Sequence, residues 1–213
     1  MNLFDVLSVD EGASASRISG VVVGVVTNTQ DPAGLGRVKV KFPWLSDSEE
    51  SFWARVATPM AGKGRGFYFL PEVEDEVLLA FEQGDARFPY VLGALWNGQD
   101  KPPENNDKGE NNIRSIKSRS GHVIRLNDTD GAEKIEIQDR SGKNTIVIDT
   151  AKNTITMTSD KDITLSASKG TIKLDAQKIE INSSADTKIA AGAGMDVKAT
   201  GTMNVKGATV NIN

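Results

Sequence analysis

Hydrophobic residues follow two different patterns along this chain, and the first covers residues 17–98. That region contains short segments rich in Val, Phe and Trp, separated by turn sequences such as DPAGLG and AGKGRG. In RVKVKF, alternate positions place Val38, Val40 and Phe42 on one face of a strand and basic residues on the other. About five strands in about 80 residues predict a small β-barrel. We expect its core to include Val22, Val38, Val40, Trp53, Val56, Val77, Leu79 and Leu92.

The second pattern occupies residues 113–213, where two or three aliphatic residues at period two recur at short intervals between Gly, Asn, Asp, Ser, Thr and Lys. Such a repeat is typical of a β-helix, in which each repeat supplies one short strand. Each strand offers few side chains, so we expect three chains to wind around one axis as a shaft. The predicted trimer core is Ile146, Ile148, Ile155, Ile163, Leu165, Ile172, Leu174, Ile179 and Ile181, and the predicted tip interface is Val210 and Ile212.

Composition supports this division of the chain. All Phe, Trp and Tyr residues lie at or before Trp96, and all seven prolines lie at or before Pro103. Residues 99–112 contain no apolar side chain that could anchor a core, which predicts a linker. The predicted divisions are an N-terminal segment, a barrel, a linker and a shaft, at residues 1–16, 17–98, 99–112 and 113–213.

Charge and targeting signals exclude several classes of protein. The net charge is −4, and the barrel half is acidic, which does not favour nucleic-acid binding. The first residues lack the basic and apolar regions of a signal peptide, and the longest apolar run, within 20–26, is too short to cross a bilayer. We therefore expect a soluble protein made in the cytoplasm.

The residues that perform catalysis or bind metals are scarce. The chain has no cysteine and one histidine, His122, which we interpret as a surface or turn residue. The acidic cluster Glu72, Glu74, Asp75 and Glu76 is interpreted as a solvated turn. Asp128 and Asp130 are interpreted as part of a hairpin turn. We therefore predict no catalytic, cofactor-binding or metal-binding residue, and no enzymatic activity.

Several long blocks, in order, resemble the VgrG and phage baseplate protein V family, the central spikes of contractile injection systems. These blocks are GVVTNTQDPAGLGRVKVKFPWL, SFWARVATPMAG, FLPEVEDEVLLAFEQGDARFPYVLGALWNG and IRSIKSRSGHVIRLNDTDGAEKIEIQDRSGKNTIVID. The resemblance implies an all-β protein, an OB-fold barrel followed by an intertwined trimeric β-helix. The chain departs from many family members at two turn positions, at Glu74, where they have Gly, and at Ala86, where they have Pro.

The resemblance also implies a function and partners. The protein would be a structural spike at the tip of the inner tube of a phage tail, type VI secretion system or phage-tail-like particle. It would be made in the bacterial cytoplasm and assembled into that particle. It would form a homotrimer, bind a separate hub or baseplate protein through its barrel and a PAAR-like tip protein at its C-terminus, and meet the target membrane only transiently.

Two other functions are weighed against a spike. A nucleic-acid-binding OB protein would need exposed stacking aromatics along a basic groove, and it would leave the repeat without a role. A trimeric tail-fibre protein that binds or cleaves glycans is the other alternative. Such a protein would display aromatic side chains and paired carboxylates along its shaft, whereas the predicted shaft has no aromatic residue.

Overall fold

The computed structural model describes residues 17–212, with only the backbone described at 46–48, so the predicted segment 1–16 lies outside the described residues. The described chain is almost entirely β and divides into two units between Lys161 and Asp162. The strands are β1 Val22–Asn28, β2 Lys39–Phe42, β3 Ser46–Glu50, β4 Arg55–Val56, β5 Ala61–Gly62, β6 Arg65–Gly66, β7 Glu76–Phe81, β8 Pro89–Ala94, β9 Ile113–Lys117, β10 Val123–Asn127, β11 Lys134–Gln138, β12 Thr145–Asp149 and β13 Thr154–Thr158. A 3₁₀ turn spans Glu82–Gly84.

The first sheet has the strand order β3-β2-β1-β7-β8-β4. Its pairs are antiparallel except β4 with β8, which is parallel. Val38, just before β2, forms an antiparallel bridge with Ala54, just before β4, through two backbone hydrogen bonds of 2.8 and 3.0 Å. This bridge joins the β2 side of the sheet to the β4 side, so the sheet curls back on itself as a barrel.

Alternation along the strands fills the barrel, as the sequence predicted. Residues Val38, Val40 and Phe42 are buried, whereas the intervening lysines are only partly covered. Gly24 in β1 makes a close approach possible, because a Cβ there would lie 2.8 Å from Leu79 Cδ1. The buried core comprises Val26, Val38, Val40, Phe42, Ala54, Val77, Leu79, Phe81 and Val91, with Val22 and Val56 packed against it.

Two predicted core residues lie elsewhere. Leu92 is 46% exposed because the pairing of β7 with β8 shifts there: Leu79 pairs with Val91, but Leu78 pairs with Gly93. The extra residue of this bulge leaves Leu92 without a cross-strand partner. Trp53 is only half-buried, since it lies on the outer side, where Lys39 Nζ is 5.6 Å from its ring centroid.

The turn DPAGLGR is held by one carboxylate. Asp31 accepts hydrogen bonds from the Arg37 guanidinium at 2.7 and 2.9 Å and from the backbone N–H groups of Ala33 and Leu35 at 3.0 Å. The Asp31 side chain is only 3% exposed. The hydrogen bonds from Arg37 hold the pKa of Asp31 well below its ordinary value. The turn therefore enters β2 in a fixed conformation.

The second sheet is a simple antiparallel meander, with the order β13-β12-β11-β10-β9. Each predicted aliphatic segment from Ile113 to Met157 becomes one of its strands. Beyond Thr158 the described chain contains no strand, although the aliphatic period continues. The fold class is thus confirmed as all-β with a barrel, while the single chain does not display the β-helix, which stays a prediction together with the domain boundaries.

The departure from the family pattern at Glu74 has a structural counterpart. Glu74 has φ 77°, in the left-handed region that costs a residue with a Cβ about 1–2 kcal/mol. The backbone N–H of Glu74 donates to Val26 O at 2.8 Å, which fixes this turn to the barrel. Glycine adopts the same conformation without that steric cost.

We predict that Glu74→Gly raises the free energy of unfolding of the barrel by about 0.5–1 kcal/mol, because relief of backbone strain exceeds the entropy cost of glycine. Denaturant titration followed by tryptophan fluorescence measures this, since all three tryptophans lie at or before Trp96. Val73→Gly is the matched control, because Val73 has no positive φ. The Val73→Gly substitution should destabilise the barrel. Equal effects of the two substitutions would contradict backbone strain at Glu74.

An outward-facing apolar sheet as candidate assembly site

Strand register in the meander places its aliphatic side chains on one face. Ile124 is directly opposite Ile116 on one side and Ile137 on the other, and residues directly opposite share a face. Ile146 continues the same row against Ile137. Two rows result, namely Ile116, Ile124, Ile137, Ile146 and Met157, and beside it Leu126, Ile135, Ile148 and Ile155.

This apolar face is exposed in the single chain. Exposure of its side chains runs from 38% at Ile146 to 72% at Ile155. An uninterrupted aliphatic surface of this kind is unusual on a monomeric protein and marks an interaction site. The arrangement inverts a one-sided sheet in a globular domain, where the apolar face packs on a core and the polar face meets water.

The opposite face is mostly polar, with Val123 and Val147 among its residues, and it is less exposed. Its residues on β10, β11 and β12 are only partly exposed. Arg125 donates to Glu104 of the predicted linker, with an Nη2–Oε1 distance of 2.5 Å, and is directly opposite Glu136. Lys134 Nζ lies 3.1 Å from Glu136 Oε1 on the same face. The charged side chains and the linker therefore cover the polar face of the sheet. The aliphatic face stays exposed.

Residues 162–212 form the second unit, described by itself. Its predicted core residues are all exposed, as are those of the meander, and the same holds for the tip residues, with Val210 48% and Ile212 90% exposed. The structure brings Ile146, Ile148 and Ile155 together on one sheet face. For the other predicted core residues, assembly around an axis remains a proposal.

The predicted core list left out part of the apolar face. Ile116, Ile124, Leu126, Ile135, Ile137 and Met157 occupy the same rows as the predicted residues. The signal that finds most of them is the same period-two spacing, which begins with Ile124 and Leu126. Pairing register alone shows that these positions share a face.

The polar residues considered for chemistry hold turns together. Glu72 Oε2 accepts a hydrogen bond from Arg119 at 3.0 Å, and Asp75 Oδ2 accepts one from the Glu72 N–H at 2.8 Å. Asp128 pairs with Arg114 at 2.6 Å. His122 is exposed, and its backbone N–H donates to Ser118 Oγ in the turn between β9 and β10. These contacts assign the cluster and the hairpin a structural role.

Neither a metal-binding cluster nor a membrane-spanning helix occurs in the described part of the chain. No group of three or more His, Cys, Asp or Glu residues there is arranged to hold a metal ion. Among residues 17–212 no helix is both long and apolar enough to cross a membrane.

Sequence comparison defines the class of the barrel. Residues 22–96 match the family described as the type VI secretion system/phage-baseplate injector OB domain. The matched segment begins with β1 and ends just after β8, so it covers the six-stranded sheet. Residues 22–96 are therefore similar to the injector OB domain, which confirms the resemblance to VgrG and baseplate protein V.

Individual relatives are VgrG proteins. The chain is 32% identical to the type VI secretion system spike protein VgrG5 of Pseudomonas aeruginosa, over 62% of this chain and 17% of that protein. Spike protein VgrG1a of the same organism is 30% identical over 53% of this chain and 19% of its own length. The actin cross-linking toxin VgrG1 of Vibrio cholerae is 26% identical over 55% of this chain and 10% of its own length. The chain thus spans less than a fifth of the length of these relatives.

We predict that Ile148→Asp prevents self-association, because a charge in the middle of the apolar face loses a buried aliphatic side chain and requires desolvation. The expected cost is at least about 3 kcal/mol per chain. Size-exclusion chromatography with light scattering measures the loss as a fall in molecular mass.

The matched control for this substitution is Thr156→Asp. Thr156 is exposed, pairs with Val147 and therefore lies on the opposite face of the same sheet. The Thr156→Asp substitution should leave the molecular mass of the assembly unchanged. Equal loss of association by both variants would show that the aliphatic face is not the assembly site.

Proposed function

We propose that this protein is the structural central spike of a contractile injection machine, with an OB barrel at its base and a homotrimeric shaft. One observation carries the proposal: the meander behind an injector OB barrel exposes its aliphatic face and covers its polar face. A face of that kind is completed by other copies of itself, because full burial of one Ile or Leu side chain contributes roughly 1.5–3 kcal/mol.

Three copies fit the width of the face. Each meander offers only two rows of aliphatic side chains, as Ile137 and Ile135 on β11 illustrate. Three such faces around one axis form a triangular prism with a continuous narrow core, and each chain supplies one wall. The similarity to VgrG spike proteins supports this arrangement.

Residues 162–212 would extend the shaft through strand pairing between chains. This part of the chain keeps the aliphatic period but has no strand ladder of its own among the described residues. Backbone N–H and C=O groups in an assembled shaft need partners. We infer that each chain pairs with the other two here, so that Ile163, Leu165, Ile172, Leu174, Ile179 and Ile181 face the axis of an intertwined β-helix.

Such a shaft has a mechanical role and requires no catalytic group. Extraction of one chain would break backbone ladders with both neighbours along the shaft, so axial force from a contracting sheath is carried without unravelling. Piercing of the target envelope, with only transient contact with its membrane, follows from this stiffness. We therefore propose a protein without enzymatic activity.

The two ends of the spike are proposed to bind different partners. The OB barrel would bind a separate hub or baseplate protein at the end of the inner tube. At the other end, three copies of Val210 and Ile212 would present exposed strand ends and apolar side chains, which suit strand addition by a PAAR-like tip protein. Synthesis in the bacterial cytoplasm and assembly into the particle complete the proposal.

Sedimentation equilibrium of the full chain tests the trimer. We expect one species of three times the 22.8 kDa chain mass at micromolar concentration, without dissociation on dilution. A mass of two chains would indicate a face-to-face pair of meanders instead of a prism. A stably folded monomer would remove the basis for a spike.

A further inference from the structure

The segment that joins the barrel to the meander, residues 97–112, is an ordered series of turns, and we name it the strap. Asn97 Oδ1 accepts hydrogen bonds from the backbone N–H groups of residues 99–100 at 2.8 and 2.7 Å. Asn106 O accepts one from the Gly109 N–H at 2.9 Å, and Asn106 Oδ1 accepts one from the Asn111 N–H at 2.7 Å. Asn side chains that bind the following backbone in this way close turns. The composition of the segment predicted a linker, and its hydrogen bonds give that linker a defined shape.

The C-terminal end of the strap is attached to the meander. Asn112 O accepts a hydrogen bond from the Asp128 N–H, just after β10, at 2.8 Å. Arg114 Nη1 donates to Asn111 O at 3.0 Å and to Asp128 Oδ2 at 2.6 Å. Asn111 has φ 51°, in the left-handed region that Asn adopts more readily than most residues. The strap therefore enters β9 in a fixed conformation.

The middle of the strap is attached to the polar face of the meander by one ion pair. Nε and Nη2 of Arg125 both donate to Glu104 Oε1, at 3.0 and 2.5 Å. The two side chains are only 33 and 29% exposed. Glu136, directly opposite Arg125 on β11, is itself paired with Lys134 Nζ at 3.1 Å. The Arg125 guanidinium thus connects the central strand β10 to the strap.

Apolar packing contributes little to this attachment. Within residues 98–111 every residue is exposed except Glu104. A cleft of about 710 Å³ is lined both by strap residues and by the sheet, for example at Ser115 of β9. A second ion pair joins barrel and meander directly, Glu72 with Arg119, but its side chains are 57 and 82% exposed. Exposed pairs contribute little to stability, so the pair of Glu104 with Arg125 is the main attachment of the strap between its two ends.

We propose that the strap holds the OB barrel in one orientation relative to the meander, with Arg125 as the positioning residue and Glu104 as its partner. A freely flexible chain of this length would have a root-mean-square end-to-end distance of about 20 Å, so an unattached strap would let the barrel reorient. The mechanical consequence rests on the proposed function: in a spike, a barrel fixed in this way passes axial force directly into the shaft.

Pulsed electron spin resonance tests the fixed orientation, because the chain has no cysteine of its own and accepts spin labels at chosen sites. The labels are placed at Gln30→Cys, exposed in the barrel, and at Ala132→Cys, exposed in the turn between β10 and β11. The labelled chain is co-expressed with an excess of the cysteine-free chain, so that the distance within one chain is measured. We expect one narrow distance distribution. A distribution spread over about 20 Å would overturn the strap.

Substitutions at the ion pair test the role of Arg125. Glu104→Gln should broaden the distance distribution and accelerate amide hydrogen exchange in residues 105–112 by about five- to tenfold, because hydrogen bonds to a charged group are lost. Arg125→Gln and the double variant should have the same effect as Glu104→Gln, since all three remove one interaction. Glu110→Gln is the matched control, an exposed carboxylate of the strap whose Oε2 accepts a hydrogen bond from Asn112 Nδ2 within the strap itself. It should change neither measurement.

The failure of this inference differs from that of the proposed function. Trimers by sedimentation with a broad distance distribution would overturn the strap and leave the spike intact. A narrow distribution that Glu104→Gln leaves unchanged, or broadens no more than Glu110→Gln does, would also overturn the proposal, because the attachment is assigned to this ion pair. Monomers with a narrow, Glu104-dependent distribution would overturn the spike and, with it, the mechanical role of the strap. Trimers with a narrow, Glu104-dependent distribution would support both.

Discussion

Apolar surface that one chain cannot bury is the constraint on which the rest of this structure depends. The barrel satisfies its own hydrophobic residues, with Val38, Val40 and Leu79 at zero exposure. The meander does the reverse, since its rows of aliphatic side chains face outward. Its charged face forms ion pairs instead, such as Arg125 with Glu104. In the proposed assembly, the interface between chains would also be the core of the shaft, so association would stabilise the fold.

Backbone hydrogen bonding divides the proposed shaft into two regions. In the meander, the strands between Ile113 and Thr158 pair with neighbouring strands of the same chain. Residues 162–212 have the same side-chain period without strand partners among the described residues. In the proposed trimer, the meander would bring three chains into register, and the distal residues would then exchange ladders between chains. Local pairing first and distant pairing later also reduces the loop-closure cost of a topology with many long-range contacts.

The sequence was most informative where alternation was strict. RVKVKF predicted the buried and exposed faces of β2 correctly, and the aliphatic period predicted every strand of the meander. Leu92 was placed wrongly because the bulge that turns it outward depends on pairing with β7, which no local pattern records. Trp53 was also predicted in the core, whereas Arg37 and Lys39 lie over its ring on the outer side of the sheet. The polar strand β3 and the two-residue strands β5 and β6 lack alternation altogether.

The sequence predicted that aliphatic strand residues form the candidate site, but it did not predict all of those residues. Period two in the sequence indicated which residues are aliphatic strand positions, but only register shows that Ile137 and Ile146 adjoin in one row. The exposure of the aromatic residues in FYF is a tertiary property that no local sequence pattern predicts. The thinness of the aliphatic pattern was nevertheless sufficient to predict that several chains share one core.

Amide hydrogen exchange of residues 162–212 in the assembled protein tests the central claim most directly. If these residues pair with neighbouring chains around an axis, their amides should resist exchange for hours, because opening requires separation of the three chains. Unprotected amides that exchange within seconds, in a particle whose meander amides stay protected, would contradict an intertwined shaft.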